Sequence, residues 1–358
     1  MKIVISGLGL MGGSLAMALR QNRPDVRIYG YDLAPVLTEA RQMGLIDQSI
    51  EHWPAGCADA DVIFLCTPLK TISRQIKELN GVIKKDTVVT DTGSTKTELV
   101  RLVQTIDFSG TYIGGHPMTG AEKSGLKASN PLLYENAIYI LTNINEYNKT
   151  LAEGKLLPLL ESIKARALLL DAVAHDRIMA AISHLPQIIA VALVNLIGQK
   201  ENEQLPYFEL AAGGFRDLTR IASSPFDIWS DIIDSNKENI AEVLKDFIAI
   251  LEQSDLNLDN LEKDFERANS YRERLPKKNK GFLSPLVDVL VYVTDQVGVI
   301  SKISNALADK DIDIRDIELL KIREKEGGVF RLSFSNVKEA QTAVNVLNSV
   351  NFRAYIRE

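Results

Sequence analysis

The stretch Met1-Lys2-Ile3-Val4-Ile5-Ser6-Gly7-Leu8-Gly9-Leu10-Met11-Gly12 opens the chain and decides its fold. Lys2–Ser6 reads as a short apolar strand, and the glycines after it form a G-x-G-x-x-G turn. Ser14–Gln21 continues as a helix. Val26–Tyr31 is a second strand that leads into Asp32, about 20 residues beyond Gly12, the spacing of a dinucleotide-binding βαβ unit. Each part has a physical task. Gly7 permits the tight turn, Gly9 lets the backbone approach a pyrophosphate, and Gly12 allows helix and strand to pack closely. Leu8, Leu10 and Met11 complete the turn, whose N–H groups and helix dipole attract phosphate. Asp32 is placed to accept hydrogen bonds from ribose hydroxyls and to repel a 2′-phosphate. Leu33, Ala34 and Pro35 put no cation beside it. The expected cofactor is NAD rather than NADP.

Outward from this unit, the first 171 residues alternate strands and helices. Asp61–Cys66, Thr87–Asp91, Thr111–Gly114, Ala137–Thr142 and Ala165–Asp171 are further expected strands, with helices such as Leu69–Leu79 and Lys96–Thr105 between them. Such alternation implies a mostly parallel sheet with helices on both faces, a Rossmann-type α/β domain over residues 1–171. From Ala172 the strand runs disappear. Ile240, Val243, Leu244, Phe247 and Leu251 share one helical face, and residues 172–275 read as an all-α domain. Residues 276–284, rich in Lys with Pro276 and Gly281, read as a linker. Residues 285–358 then run β-α-β-β-α-β, a ferredoxin-like α+β unit.

Composition agrees with three globular parts. The 358 residues exceed one ordinary domain at about 150 residues each. Hydrophobic residues make up 46% and charged residues 25%, which excludes a disordered or collagen-like chain. A net charge of −6 gives no basic footprint for nucleic acid. Cys57 and Cys66 are too few for a disulfide framework and fit a reducing compartment. The start of the chain reads as a strand rather than a signal peptide. Ile188–Ile197 is about half a membrane span and reads as a buried helix. The expected setting is cytoplasmic, with no membrane and no metal site.

Two loops at strand C-termini should line the cofactor, because ligands of open α/β sheets bind there. One is Cys66-Thr67-Pro68. The other is Asp91-Thr92-Gly93-Ser94-Thr95-Lys96, whose hydroxyls and Lys96 should face the same cleft. Ser94 could serve a substrate or only cap the next helix. Cys66 has no neighbour that would lower its pKa and reads as a small buried side chain. Among four histidines, His52 reads as exposed. His116 sits at the end of a strand in Gly114-Gly115-His116-Pro117-Met118, beside the expected nicotinamide site. Its unperturbed pKa near neutrality suits a general base for a hydroxyl proton.

At these residues the chain resembles a known family. The glycine-rich start, Asp91–Lys96, Gly114–Met118, Ser183-His184-Leu185-Pro186 and Gly213-Gly214-Phe215-Arg216-Asp217-Leu218-Thr219-Arg220 appear in one order. Together they resemble prephenate dehydrogenases over residues 1–275. The last part resembles an ACT domain, through Asp295-Gln296-Val297-Gly298-Val299-Ile300. The resemblance implies oxidative decarboxylation of prephenate to 4-hydroxyphenylpyruvate with NAD. It makes His116 and Ser94 catalytic and gives Arg220 a substrate carboxylate, which guanidinium grips bidentately. An Arg220–Asp217 salt bridge is the alternative. His184 and Gln187, three apart on a helix, can both face the cleft. The resemblance implies a second histidine, in many relatives, where Gln187 stands, and Gln187 cannot hold charge. His175 with Asp176 reads as structural. Glu122 is a candidate gate residue. Trp229 is a candidate in the substrate region or in core packing. A homodimer through the helical domain is implied. So are possible pairing of ACT domains and L-tyrosine as effector at Asp295, Gly298 and Val299. Arogenate dehydrogenase is the nearest rival. A β-hydroxyacid dehydrogenase or a non-enzymatic NAD and amino-acid sensor is more distant.

Overall fold

The computed structural model describes residues 1–121, 123–202, 204–255, 261–274, 286–294, 296–323 and 327–357. Glu122, Asp295 and the expected linker 276–284 lie outside the described residues. The chain forms two compact units, Met1–Asp259 and Asn260–Glu358.

The first unit begins with β1 (Lys2–Ser6), α1 (Leu10–Asn22), β2 (Arg27–Tyr31), α2 (Ala34–Gln42) and the short β3 (Gln48–Ser49). It continues through β4 (Val62–Leu65), α3 (Leu69–Leu79), β5 (Val88–Asp91), α4 (Thr97–Thr105) and β6 (Thr111–Tyr112). These six strands form one sheet in the order β3-β2-β1-β4-β5-β6. Every pair in it is parallel. The period-two alternation of strands builds two cores, one on each face. Ile3, Ile5, Val62, Phe64 and Val88 enter the core on one face. Val4, Ile63, Leu65 and Val89 enter the other. The all-buried β4 and β5 are what a covered parallel sheet requires.

One expected strand divides. Thr111–Tyr112 stays at the edge of the large sheet, but β7 (Gly114–Pro117) turns away into a second sheet with β8 (Ile138–Thr142) and β9 (Arg166–Leu169). β7 runs antiparallel to β8, with His116 opposite Ile140. The mostly parallel sheet expected over the first 171 residues is thus six parallel strands, with three further strands in a sheet of their own. The physical reason lies in Gly115, whose backbone is held by side chains of the first sheet, as described below. Short helices α5 (Lys149–Leu151) and α6 (Leu157–Ser162) join β8 to β9.

After β9 come α7 (Ala172–Met179), a wide π turn at Ala180–His184, and α8 (Leu185–Gly198). Asp171 caps this helix by accepting from Val173 N and Ala174 N at 2.9 and 3.0 Å. The wide turn stands just before Pro186, which has no N–H for the helical ladder. Then follow α9 (Gly213–Thr219), α10 (Phe226–Ser235) and α11 (Lys237–Asp255). α10 is fixed to α3 by Lys70, whose Nζ lies 2.9 Å from Asp231 and 3.0 Å from Asp234. Ile232 and Trp229 join the core beneath the sheet. The expectation of a buried helix at Ile188–Ile197 is corrected. Ala172–Gly198 is long and apolar enough to cross a membrane, yet only 28% of its apolar window is buried. Neighbouring helices cover one side and leave Val191 and Leu196 exposed. Leu218, Phe226 and Ile228 are exposed as well. The face expected on α11 is buried only at its start, by Ile240, and Leu251 is exposed.

The second unit holds α12 (Glu262–Glu273), β10 (Val287–Val293), α13 (Val299–Ala308), β11 (Asp316–Arg323), β12 (Gly327–Phe334), α14 (Val337–Ser349) and β13 (Arg353–Ile356). Its sheet order is β11-β12-β10-β13, all antiparallel. Val289, Val291, Leu332 and Phe334 meet Ile303, Leu307, Ala343 and Leu347 in one core. This is the expected ferredoxin-like arrangement.

Candidate active site

The cofactor end is made of backbone. Gly7 has φ +87°, and a Cβ there would stand 2.5 Å from Cys66 O, so the turn closes only on glycine. A Cβ at Gly12 would meet Gly7 O, whereas at Gly9 it would meet nothing within 4 Å. Gly9 thus leaves an open approach in front of α1. Its position caps α1 without any side-chain hydrogen bond, and the first turn carries no acid. A diphosphate fits this cradle of N–H groups. Leu8 lies fully buried behind it, and Leu10 and Met11 begin α1. Asp32 accepts from Leu8 N and Leu33 N, both at 2.6 Å, and each oxygen keeps a lone pair for a ribose hydroxyl.

Beside the turn, Thr67 donates to Gln75 Oε1 at 3.1 Å, and Pro68 directly precedes α3. Burial pushes the Cys66 thiol up to about 12, so it is not a thiolate nucleophile. Gly93 N donates to Asp91 at 2.9 Å, and the half-buried Ser94 follows it. Ser94 does not cap α4. The cap position belongs to Lys96, and the N–H groups of Lys96 and Thr97 both donate to the Asp176 carboxylate at 2.8 Å.

Lys96 corrects another expectation. It does not face the cleft but is fully buried against Asp91, to which it donates. Its Nζ also donates to Gly115 O at 2.7 Å. Asp91 accepts from Gly115 N at 3.1 Å and from Tyr112 OH at 2.8 Å. A buried carboxylate needs a counter-charge, and the nearest lysine turns inward to supply it. The pair grips both polar backbone groups of Gly115 and so draws β7 out of line with β6.

That grip sets the neighbouring His116. Its Nδ1 lies 2.8 Å from His175 Nε2, and His175 Nδ1 lies 2.7 Å from Asp176 Oδ1. His175 and Asp176 are 0% and 1% exposed. Burial, then the neighbouring His175, Lys96 and His184, hold the His116 pKa well below its usual value. Burial pushes the Asp176 carboxyl up, but hydrogen bonds from His175, Thr97 and Lys96 outweigh it and leave it below the usual range. Sequence reasoning gave His175 and Asp176 no part in the site. The available signal was a His-Asp dipeptide opening the helix that also carries His184.

His184 and Gln187 are both buried. His184 is 1% exposed, faces Asn236 Nδ2 at 3.2 Å and meets the Trp229 ring edge-on at 5.9 Å. Burial lowers its pKa to about 4. Gln187 donates to Ile221 O at 3.0 Å, and its buried Oε1 accepts from no described residue. Buried amide and imidazole groups take the partners at hand. Arg220 sits in the short turn Arg220–Ser223, directly before Ile221. Arg220 and Asp217 are both exposed. In the second unit, Gly298 has φ +84° at the start of α13, and Val299 packs on the core.

Known proteins match this arrangement along nearly the whole chain. Residues 15–169 match the family model of the prephenate dehydrogenase nucleotide-binding domain, and residues 171–269 match its dimerization domain. The chain belongs to the prephenate dehydrogenase family. Residues 287–352 match the ACT domain. A prephenate dehydrogenase of Bacillus subtilis is 36% identical over 351 residues, 95% of this chain and 94% of its own. A cyclohexadienyl dehydrogenase of Zymomonas mobilis is 32% identical over 70% of this chain and 86% of its own. The crystal structure of the Aquifex aeolicus prephenate dehydrogenase, in complex with hydroxyphenyl propionate and NAD+, superposes with a TM-score of 0.69. It is 30% identical and covers 76% of this chain and 96% of its own. The expectation of an NAD-dependent dehydrogenase with a Rossmann-type, a helical and an ACT part stands.

Proposed function

We propose that this prephenate dehydrogenase converts prephenate to 4-hydroxyphenylpyruvate and CO₂ in the cytoplasm, as a homodimer inhibited by L-tyrosine. The observation that carries the reading is His116 on β7, its pKa held well below the usual value by burial and its Nδ1 2.8 Å from His175 Nε2. The residues divide the work. Gly7–Gly12, Asp32, the Cys66–Pro68 turn and Gly93 hold the dinucleotide. NAD, when bound there, takes the hydride from the carbinol carbon of the ring. His116 accepts the hydroxyl proton through Nε2, because Nδ1 is already engaged with His175. Ser94 hydrogen-bonds at the same hydroxyl. Arg220 holds a substrate carboxylate, with Glu122 and Asp217 at the entrance. Gln187 supports that guanidinium from behind by holding Ile221 O. His184 and Trp229 brace the same wall.

The exposed apolar side chains of α8, α9 and α10 form the surface on which a second copy packs, in place of a membrane. Residues 1–171, 172–275 and 285–358 then serve cofactor, substrate and effector. Tyrosine binds at the turn around Gly298, where the ACT domains pair.

The test compares NADH formation on prephenate and on arogenate, with NAD and with NADP. Preference for prephenate with NAD is expected. Turnover on arogenate alone, or equal use of NADP, overturns the substrate or the Asp32 argument respectively. Gly298→Val should abolish tyrosine inhibition and leave basal turnover intact; retained inhibition moves the effector elsewhere.

A further inference from the structure

The reaction proposed above has a proton balance that its base must satisfy. Prephenate and NAD+ give 4-hydroxyphenylpyruvate, CO₂ and NADH with no proton released. The hydroxyl proton is taken as the hydride leaves. It is needed again when the carboxylate C–C bond breaks and its electron pair makes the ring oxygen a phenolate. The base must lend this proton, not discharge it.

His116 is a poor place to keep it. The ring stands beside the buried Lys96 ammonium and among other histidines. His175 is a better place, because its far nitrogen lies 2.7 Å from the Asp176 carboxylate. The hydrogen bonds assign the tautomers. Asp176 accepts from His175 Nδ1–H, leaving His175 Nε2 to accept from His116 Nδ1–H, which leaves His116 Nε2 free for substrate. We propose that the two histidines and Asp176 form a proton store in which the borrowed proton rests on His175, paired with Asp176. This rests on the functional reading above. As the hydride leaves, the hydroxyl proton passes to His116 Nε2 while the His116 Nδ1 proton moves to His175 Nε2. When CO₂ departs, both protons move back and the phenolate becomes the phenol. His116 is the catalytic residue; His175 and Asp176 are positioning residues that act through it.

The surroundings hold the store in register. Asp176 is fixed by the N–H groups of Lys96 and Thr97, and its backbone carbonyl accepts from Asn236 at 2.7 Å. His116 faces Lys96 from the β5–α4 turn, His184 from the wide turn, and His175 from α7. Asp91 and Tyr112 lie behind Lys96. On its outer side Asp176 borders a cavity of about 390 Å³ that also carries Glu98, Arg101, Asp234, Lys237 and Glu238.

Four histidines make the tautomers directly readable by ¹⁵N ring NMR on the intact chain without substrate. Neutral His116 and His175, each protonated on Nδ1, are expected; an Nε2 proton on either overturns the relay. Kinetics supply the second reading. Asp176→Asn and His175→Gln should each slow single-turnover hydride transfer by about 10²-fold, the scale of general acid–base assistance, with NAD affinity and prephenate KM unchanged. In Asp176→Asn the ring ¹⁵N pattern of His175, and through it that of His116, should change, because an amide no longer fixes the proton on His175 Nδ1. A slowed enzyme whose His116 and His175 tautomers stay as in the wild type makes Asp176 a packing residue and overturns the store. If Asp176→Asn fails to fold, the NMR pattern and His175→Gln still decide. Wild-type chain with the expected tautomers but no NADH from prephenate overturns the functional reading instead.

Discussion

The glycine turn and the histidine relay are built in opposite ways. The turn is made of backbone from one continuous stretch, with Gly7 and Gly12 closing against Cys66 and Gly7 itself. The relay is made of side chains from two distant places, His116 on β7 and His175 with Asp176 on α7, and Lys96 before α4 holds both from outside. Backbone sites depend on local conformation and carry their own spacing in the sequence. Side-chain networks depend on tertiary contacts between residues 59 and 80 positions apart. Changes in the two should therefore separate cleanly.

The largest separation is expected from His116→Asn. Turnover should fall about 10²–10⁴-fold, and NAD affinity, read by fluorescence titration, should stay within error. Near-normal turnover would remove His116 from chemistry and dissolve the contrast. Arg220→Ala comes next. Losing a charged hydrogen bond of about 1.5–3 kcal/mol should raise prephenate KM roughly tenfold to a hundredfold, with kcat little changed. An unchanged KM would assign the carboxylate to another residue.

Gly7→Ala tests the turn. The positive φ and the approach of Cys66 should cost about 1–3 kcal/mol, seen as a lower Tm together with weaker NAD binding. A variant with wild-type Tm and affinity would show that the turn tolerates a side chain. The smallest effect is that of pH on His184. Burial lowers its pKa from 6.5 to about 4, so it stays neutral in the folded chain while the unfolded chain takes up a proton. Stability is fully present above about 6.5 and is lost as pH falls toward 4. Tm should decline through that window, and His184→Asn should flatten the decline; an equal decline in both would assign it to other groups.

The same contrast explains what the sequence made legible. β1, the glycine turn, Asp32 and the βαββαβ order of the second unit follow from periodicity and turn chemistry, and they appear where expected. His116 was found because glycines and a proline frame it at a strand end. Its partner His175 reads as structural, because a His-Asp dipeptide at a helix start does not by itself show that the fold brings it against His116, 59 residues away. The division between β6 and β7 was hidden for a related reason: the Asp91–Lys96 pair that imposes it is a tertiary contact. The outward apolar side chains of α8 read as core because sequence does not distinguish a face covered by the same chain from one that this chain leaves exposed.

The central claim is that the relay serves oxidation of prephenate at the NAD site. Its most direct test is stoichiometry on the purified full chain, following NADH, CO₂ and 4-hydroxyphenylpyruvate with prephenate and NAD. One of each per prephenate is expected, with no net proton released. Absence of NADH formation from prephenate, with turnover on arogenate instead, would contradict it.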